Sequence, residues 1–250
     1  MKFYEIIHRD LKKIKGQVIS IIGGGGKTSL LYKIGKELAK RNFKVILTTT
    51  TKLPPQLGTG LALTGNGNFD SELSVLLNEN NIVLVAEEYY KKDALKGLSR
   101  SAVSRLGHYA DIVLVEADGC RRRSLKTHKE YEPPIPAATN TVIIICGANV
   151  VGQPLNEDTV HRWELFSQKW NLPCGTVLTP EVISNELLSP YSYFRNIPLK
   201  AEIRLFVNKT DANSIGGKLL ADHLITRCSY PVFSGSITEN TLHRVSRESL

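Results

Sequence analysis

Short, continuous apolar runs recur along this chain, separated by stretches whose apolar residues fall at helical spacing. The runs are Gln17 to Ile22, Phe43 to Thr49, Asn81 to Ala86, Asp111 to Ala117, Thr141 to Cys146 and Ile203 to Val207. Their lack of alternation predicts strands buried on both faces, as in a parallel sheet. Between the first two, Leu30, Leu31, Ile34, Leu38 and Ala39 predict a helix over 28–41. Helices are predicted in the same way over 71–78, 99–106, 157–170, 180–188 and 214–227, with a short strand at 231–233. Residues 3–15 read as an amphipathic helix ended by Gly16, and 239–248 as a last helix. Strands alternating with helices predict a doubly wound α/β fold: a mostly parallel sheet with helices on both faces. A single domain over 1–250 is expected, with 119–139 and 150–200 as insertions that shape a second pocket. Ligands of such sheets bind at the carboxyl ends of the strands.

The first strand runs directly into Gly23, Gly24, Gly25, Gly26, Lys27, Thr28 and Ser29. Against GxxxxGK[ST], Ile21 stands at the leading glycine, so the closer pattern is GGxGK[ST]. Successive glycines let backbone amides converge on phosphate oxygens, and the start of the next helix adds positive potential. Lys27 is expected to reach the β- and γ-phosphates, Thr28 to hold Mg2+, and Ser29 to contact the α-phosphate. The fold is therefore expected to be of the P-loop NTPase type.

Asp111 to Val115 lead into Glu116 and Asp118, where an acidic residue would complete the metal shell. Asp118 is the favoured metal ligand, with Glu116 orienting the attacking water. Thr48 to Lys52 end the second strand; the threonines are either β-propensity filling or γ-phosphate and metal contacts, and Thr50, Thr51 and Lys52 sit where a switch segment would. Arg121, Arg122 and Arg123 follow Asp118, either to hold an anionic substrate or as an exposed basic loop. Asn208, Lys209, Thr210 and Asp211 after the late strand fit NKxD. There a carboxylate accepts from guanine N1–H and the 2-amino group, and Lys209 covers the base. This favours GTP over ATP.

Composition narrows the classes. With 42% hydrophobic and 22% charged residues, the chain reads as globular and soluble. The net charge of +8 favours anionic ligands. Basic residues are scattered apart from Arg121 to Arg123, with no aromatic–basic interleaving, so nucleic acid is not the expected partner. The four cysteines, Cys120, Cys146, Cys174 and Cys228, show no CxxC spacing. That argues against a zinc site and for a reducing cytoplasm. Charges interrupt the first ten residues, and the apolar stretch 141–151 is too short for a bilayer, so neither signal peptide nor membrane span is expected.

With these pieces placed, the chain resembles the YqeC family. The resemblance rests on Gly23 to Thr28, Thr48 to Lys52, Val115 to Gly119 with the basic run to Lys126, Glu132 to Pro136, His161-Arg162 and Asn208 to Asp211. It covers most of the chain. Members are regarded as accessory proteins for selenium-dependent molybdenum hydroxylases. The resemblance implies a nucleotide-dependent role in selenium or molybdenum cofactor maturation, with a molybdenum hydroxylase or a maturation protein as partner. A wider likeness is to nucleotide-dependent metallochaperones and partition-type ATPases, where Ile22 replaces an additional lysine. A homodimer is an analogy from that group. Glu132 to Pro136, stiffened by prolines, is expected to shape the second pocket. His161 and Arg162 would line it from the start of a helix. Cys120 is either a small buried residue or a handle for selenium or sulfur chemistry.

Three activities fit. The leading one is a slow Mg2+-dependent GTPase, with Lys27, Asp118 and Glu116 at the reacting phosphate. The second is a P-loop small-molecule kinase using ATP or GTP, its acceptor held by 121–136. The third is a nucleotide-binding module without turnover.

Overall fold

β1 (Gln17–Gly23) is buried from Val18 onward because both its edges and both its faces are covered. Its edges pair in parallel with β8 (Ile112–Glu116) and β10 (Thr141–Gly147). The computed structural model describes residues 1–55 and 59–247. Beyond β8 lie β2 (Val45–Thr49), β5 (Ile82–Ala86) and β4 (Gly60–Leu63). Beyond β10 lie β12 (Glu202–Asn208), β13 (Val232–Ser236) and β14 (Thr241–Arg244). Within this sheet every pairing of the described residues is parallel except that of β13 with β14.

Alternate side chains of each strand go to opposite faces, and each face has its own helices. Ile19, Ile21, Leu47 and Leu114 share a core with α1 (Lys27–Ala39) and with Phe3 and Ile6. Val18, Ile22, Val113 and Ile144 share the other core with α2 (Phe69–Asn80) and α3 (Arg100–Leu106). That second core also takes in α4 (Trp163–Trp170), α5 (Pro180–Leu187) and α6 (Ser214–Arg227). The doubly wound α/β architecture is thus present. No helix of the described residues is long and apolar enough to cross a membrane.

Several elements differ from the sequence expectation. Residues 3–15 form two short 3-10 turns, Phe3–Ile6 and Leu11–Lys13, because the Asp10 side chain accepts the Lys12 N–H and starts a new turn. The expected helix over 157–170 begins only at Trp163, since the Asn156 side chain accepts the N–H groups of Asp158 and Thr159 and holds a turn. The expected helix over 239–248 is instead β14 as far as Arg244. Asn240, with φ 58°, reverses the chain, and the following residues alternate around buried Leu242; residues 248–250 lie outside the described residues. A separate antiparallel sheet of β3 (Lys52–Leu53), β7 (Ala94–Lys96) and β6 (Glu88–Lys91) left no apolar run to find, β6 being exposed throughout.

The segments 119–139 and 150–200 leave the main sheet between its strands. They meet where β9 (Leu125–Lys126) pairs in parallel with β11 (Val160–His161).

Candidate functional site

Strands β2, β8, β1, β10 and β12 are consecutive parallel neighbours, so their carboxyl ends share one edge of the sheet. The phosphate-loop glycines, Thr48 to Lys52, Glu116, Asp118 and Asn208 all lie at that edge.

The glycines answer first to protein backbone. A Cβ on Gly24 would come 2.7 Å from the Arg123 carbonyl oxygen and 2.9 Å from the Leu125 nitrogen. Gly26 takes φ 129°, open to glycine alone at little strain. The N–H of Gly23 donates to Asp118 Oδ2 (2.9 Å). Those of Gly24 and Gly25 donate to the carbonyls of Ile145 (2.9 Å) and Arg123 (3.0 Å). The amides of Gly26, Lys27, Thr28 and Ser29, at the start of α1, have no protein acceptor among the described residues. An anion would therefore meet the helix N-terminus.

Lys27 is 2% exposed. Its Nζ donates to Gly23 O (2.6 Å) and lies 3.1 Å from Asp118 Oδ1. Burial works against the ammonium, but Asp118, Cys120 and Glu116 outweigh it and hold the proton more firmly than usual. Cys120 is half-buried.

Asp118 is wholly buried among cations and donors. Besides Lys27 and the Gly23 N–H it meets His128 Nε2 at 2.8 Å and Lys126 Nζ at 3.4 Å. Burial alone would raise its carboxyl; Lys27, Lys126 and His128 reverse the sign and hold it far below the usual carboxylate range. The contacts continue outward: His128 Nδ1 to Ser192 Oγ (3.2 Å), Ser192 Oγ to Glu186 Oε1 (2.5 Å), and Glu186 Oε2 to Lys169 and Trp170. A file of polar groups thus joins the phosphate loop to α4 and α5 through the interior.

Asp118 is paired with Lys27 and Lys126, whereas Thr28 Oγ1 donates to Glu116 Oε2 at 2.6 Å. A hydroxyl beside a carboxylate at the start of α1 is a hard oxygen set suited to Mg2+. Burial raises the Glu116 carboxyl, with Lys27 and Thr28 opposing. Ser29 is exposed beside them.

The threonines at and just beyond the end of β2 are occupied. Thr48 Oγ1 donates to Val85 O, Thr49 Oγ1 to Glu116 O and Thr50 Oγ1 to Pro134 O. Thr51 donates its N–H to Thr49 Oγ1, and exposed Lys52 lies 3.3 Å from the Tyr90 ring centre. In the NKxD segment, Asn208 Nδ2 donates to Gly25 O (2.8 Å) and its Oδ1 accepts from the Ile237 N–H (3.1 Å). Lys209 donates to Ser124 Oγ (3.0 Å), and Asp211 is exposed.

Arg121 and Arg122 are exposed, while Arg123 donates to Glu157 O and pairs with Asp158. His161 ends β11, and Arg162, at φ 64°, is the N-cap residue of α4. Arg162 grips Glu132 with both terminal nitrogens, and Lys126 adds a second cation at 3.6 Å. Lys126, Thr127, His128, Ser192 and Glu186 carry much of this architecture without a motif. Only the run to Lys126 and the nearby Glu132 marked their neighbourhood in sequence.

Among solved structures, the chain is similar to chloroplast FtsY from Physcomitrella patens, with 14% identity and a TM-score of 0.46, over 99% of this chain and 70% of that one. It is also similar to hydrogenase maturation factor HypB from Archaeoglobus fulgidus, with 12% identity and a TM-score of 0.41, over 95% and 88%. Protein YqeC of Escherichia coli (strain K12) is 27% identical over 201 residues, 77% of this chain and 75% of that protein. The YqeC protein family model matches residues 19–164, from the core of β1 through Arg162 to the start of α4, so the chain belongs to the YqeC family.

Proposed function

We propose that this protein binds a magnesium nucleoside triphosphate, GTP before ATP, and hydrolyses it slowly in the cytoplasm as an accessory to selenium or molybdenum cofactor maturation. The observation that carries the reading is Asn208. One side-chain amide ties the phosphate loop at Gly25 O to the loop after β13 at the Ile237 N–H. Phosphate and base subsites would then be held at fixed spacing, as a nucleotide requires. Asp211 would accept from guanine N1–H and its 2-amino group. The amides of Gly26 to Ser29 would face the phosphates. Thr28 and Glu116 would hold Mg2+, which would supply charge neutralisation at the phosphate oxygens. Asp118 acts through Lys27, keeping that ammonium charged and in place. Family membership supports the maturation role, with a molybdenum hydroxylase or maturation protein as partner.

A P-loop kinase is the second reading, favoured by the large cleft beside Gly119 and Thr51. Acceptor-stimulated turnover separates it from the first. The primary test is binding of fluorescent GDP and ADP analogues with Mg2+ to the wild type and to Asp211→Asn. A guanine preference of about 10-fold or more, lost in the variant, is expected. Equal affinity for the two analogues would end the GTP assignment.

A further inference from the structure

A cleft of about 1440 Å3 opens outside the phosphate loop, between residues 119–132 and the segment that carries β11 and α4. None of Gly23 to Ser29 lines it. Some cations in its wall are committed: Arg162 to Glu132, Arg123 to Asp158, Lys169 to Glu186. Arg121 and Lys129 are not. Both line the cleft, both are exposed, and neither side chain makes an ion pair or hydrogen bond among the described residues.

Two further features point to a ligand. Tyr131 and Tyr191 line the same cleft at 70% and 72% exposure, so two large rings stand open to water in the cleft that holds these cations. Thr127, in the wall, is 1% exposed, yet its Oγ1 has no hydrogen-bond partner. Buried hydroxyls as a rule are partnered. The half-buried His161 beside it is pushed down to about 4, by burial first and then by Lys126, Arg162 and Arg121. The three nearby cations add to what burial does, against the opposing Glu132.

We propose that this cleft binds a small molecule carrying both an anionic group and a flat ring, with Arg121 and Lys129 on the anion and Tyr131 and Tyr191 against the ring. Charge and stacking together match that chemistry. The cleft exceeds the usual small-ligand pocket of about 300–1,000 Å3, so a ligand larger than one ring fits. Gly119 and Thr51 at its edge place this ligand beside the phosphate loop, not in it. None of the residues placed on this ligand is one placed on the nucleotide.

The probe is pyranine, a fluorescent pyrene sulfonate, titrated by anisotropy against the full chain with and without magnesium GTP. Saturable binding is expected, weakened about 10-fold or more by Arg121→Ser with Lys129→Ser. Tyr131→Ala should weaken it about 5-fold. Lys12→Ser with Lys13→Ser removes equal charge from a distant exposed turn and should leave binding unchanged. All these side chains are exposed, and thermal melts check that each variant folds. Equal loss from both double substitutions would mean general attraction of anions and overturn the proposal. So would binding that ignores Arg121 and Lys129; its displacement by magnesium GTP would then locate the probe in the phosphate loop. Absence of any GTP binding, by contrast, would sink the nucleotide reading alone.

Discussion

The phosphate loop and the basic cleft flank Asp118 and treat charge in opposite ways. In the loop, Lys27 is buried, its partners are fixed, and the glycine backbone is clasped by residues 123–125 and 145–147. In the cleft, Arg121 and Lys129 stand in water without partners among the described residues. A dry, fixed charge acts on whatever enters with little reorganisation, but it leaves an unpaired buried partner when removed. A wet, mobile charge adapts to its ligand, and its removal barely touches the fold. Removal of a charge should therefore read out as stability on one side and as binding on the other.

The largest effect should come from Asp118→Asn, which strips the counter-charge from Lys27 and Lys126 and alters the group that meets His128 Nε2. Loss of roughly 3–5 kcal/mol in urea unfolding is expected. A loss below about 1 kcal/mol would break the contrast, since that is the range of an exposed pair.

The pH profile should come next. His161 and His128 are both lowered, by burial first, so the unfolded chain binds their protons at higher pH than the fold does. Their contribution is complete above the unfolded value of about 6.5. For His161 it is lost as pH falls from there to about 4. Asp118 adds a further loss only below the unfolded carboxylate value of about 3.9, as protons reach its depressed carboxyl. Thermal melts from neutral pH downward should decline in that order, and His161→Gln should flatten the first part. A profile unchanged by that substitution would remove His161 from the account.

The smallest effect should be Arg123→Ala. Its partner Asp158 is 78% exposed, so the pair is worth about 1 kcal/mol or less. A larger loss would show that the Arg123 bond to Glu157 O, not the ion pair, holds the two segments together.

What was legible in the sequence follows the same division. Gly23 to Ser29 are contiguous, and a strand before and a helix after give the spacing its meaning. Asn208 to Asp211 announce themselves at the end of one strand for the same reason. The buried file of polar groups behind the cleft has no such local grammar. Lys126 and His128, Ser192 and Glu186 come from separate segments, and only the folding of 119–139 against 150–200 brings them together. For Asp118, strand position says where a carboxylate stands, not that Lys27, Lys126 and His128 reach it. The last strand was missed because Asn240 bends the chain in a way that helical spacing does not register.

The place of β1 in the sheet also bears on how the protein is made. Its residues emerge before those of its partners, which begin only at Ile112 and Thr141. While the chain grows, the apolar edge of Gln17–Gly23 must wait without a neighbour, and parallel pairing across so long a loop closes slowly. Until β8 is complete this segment is where a nascent chain would stick to another, so it is the natural resting place for a chaperone during synthesis.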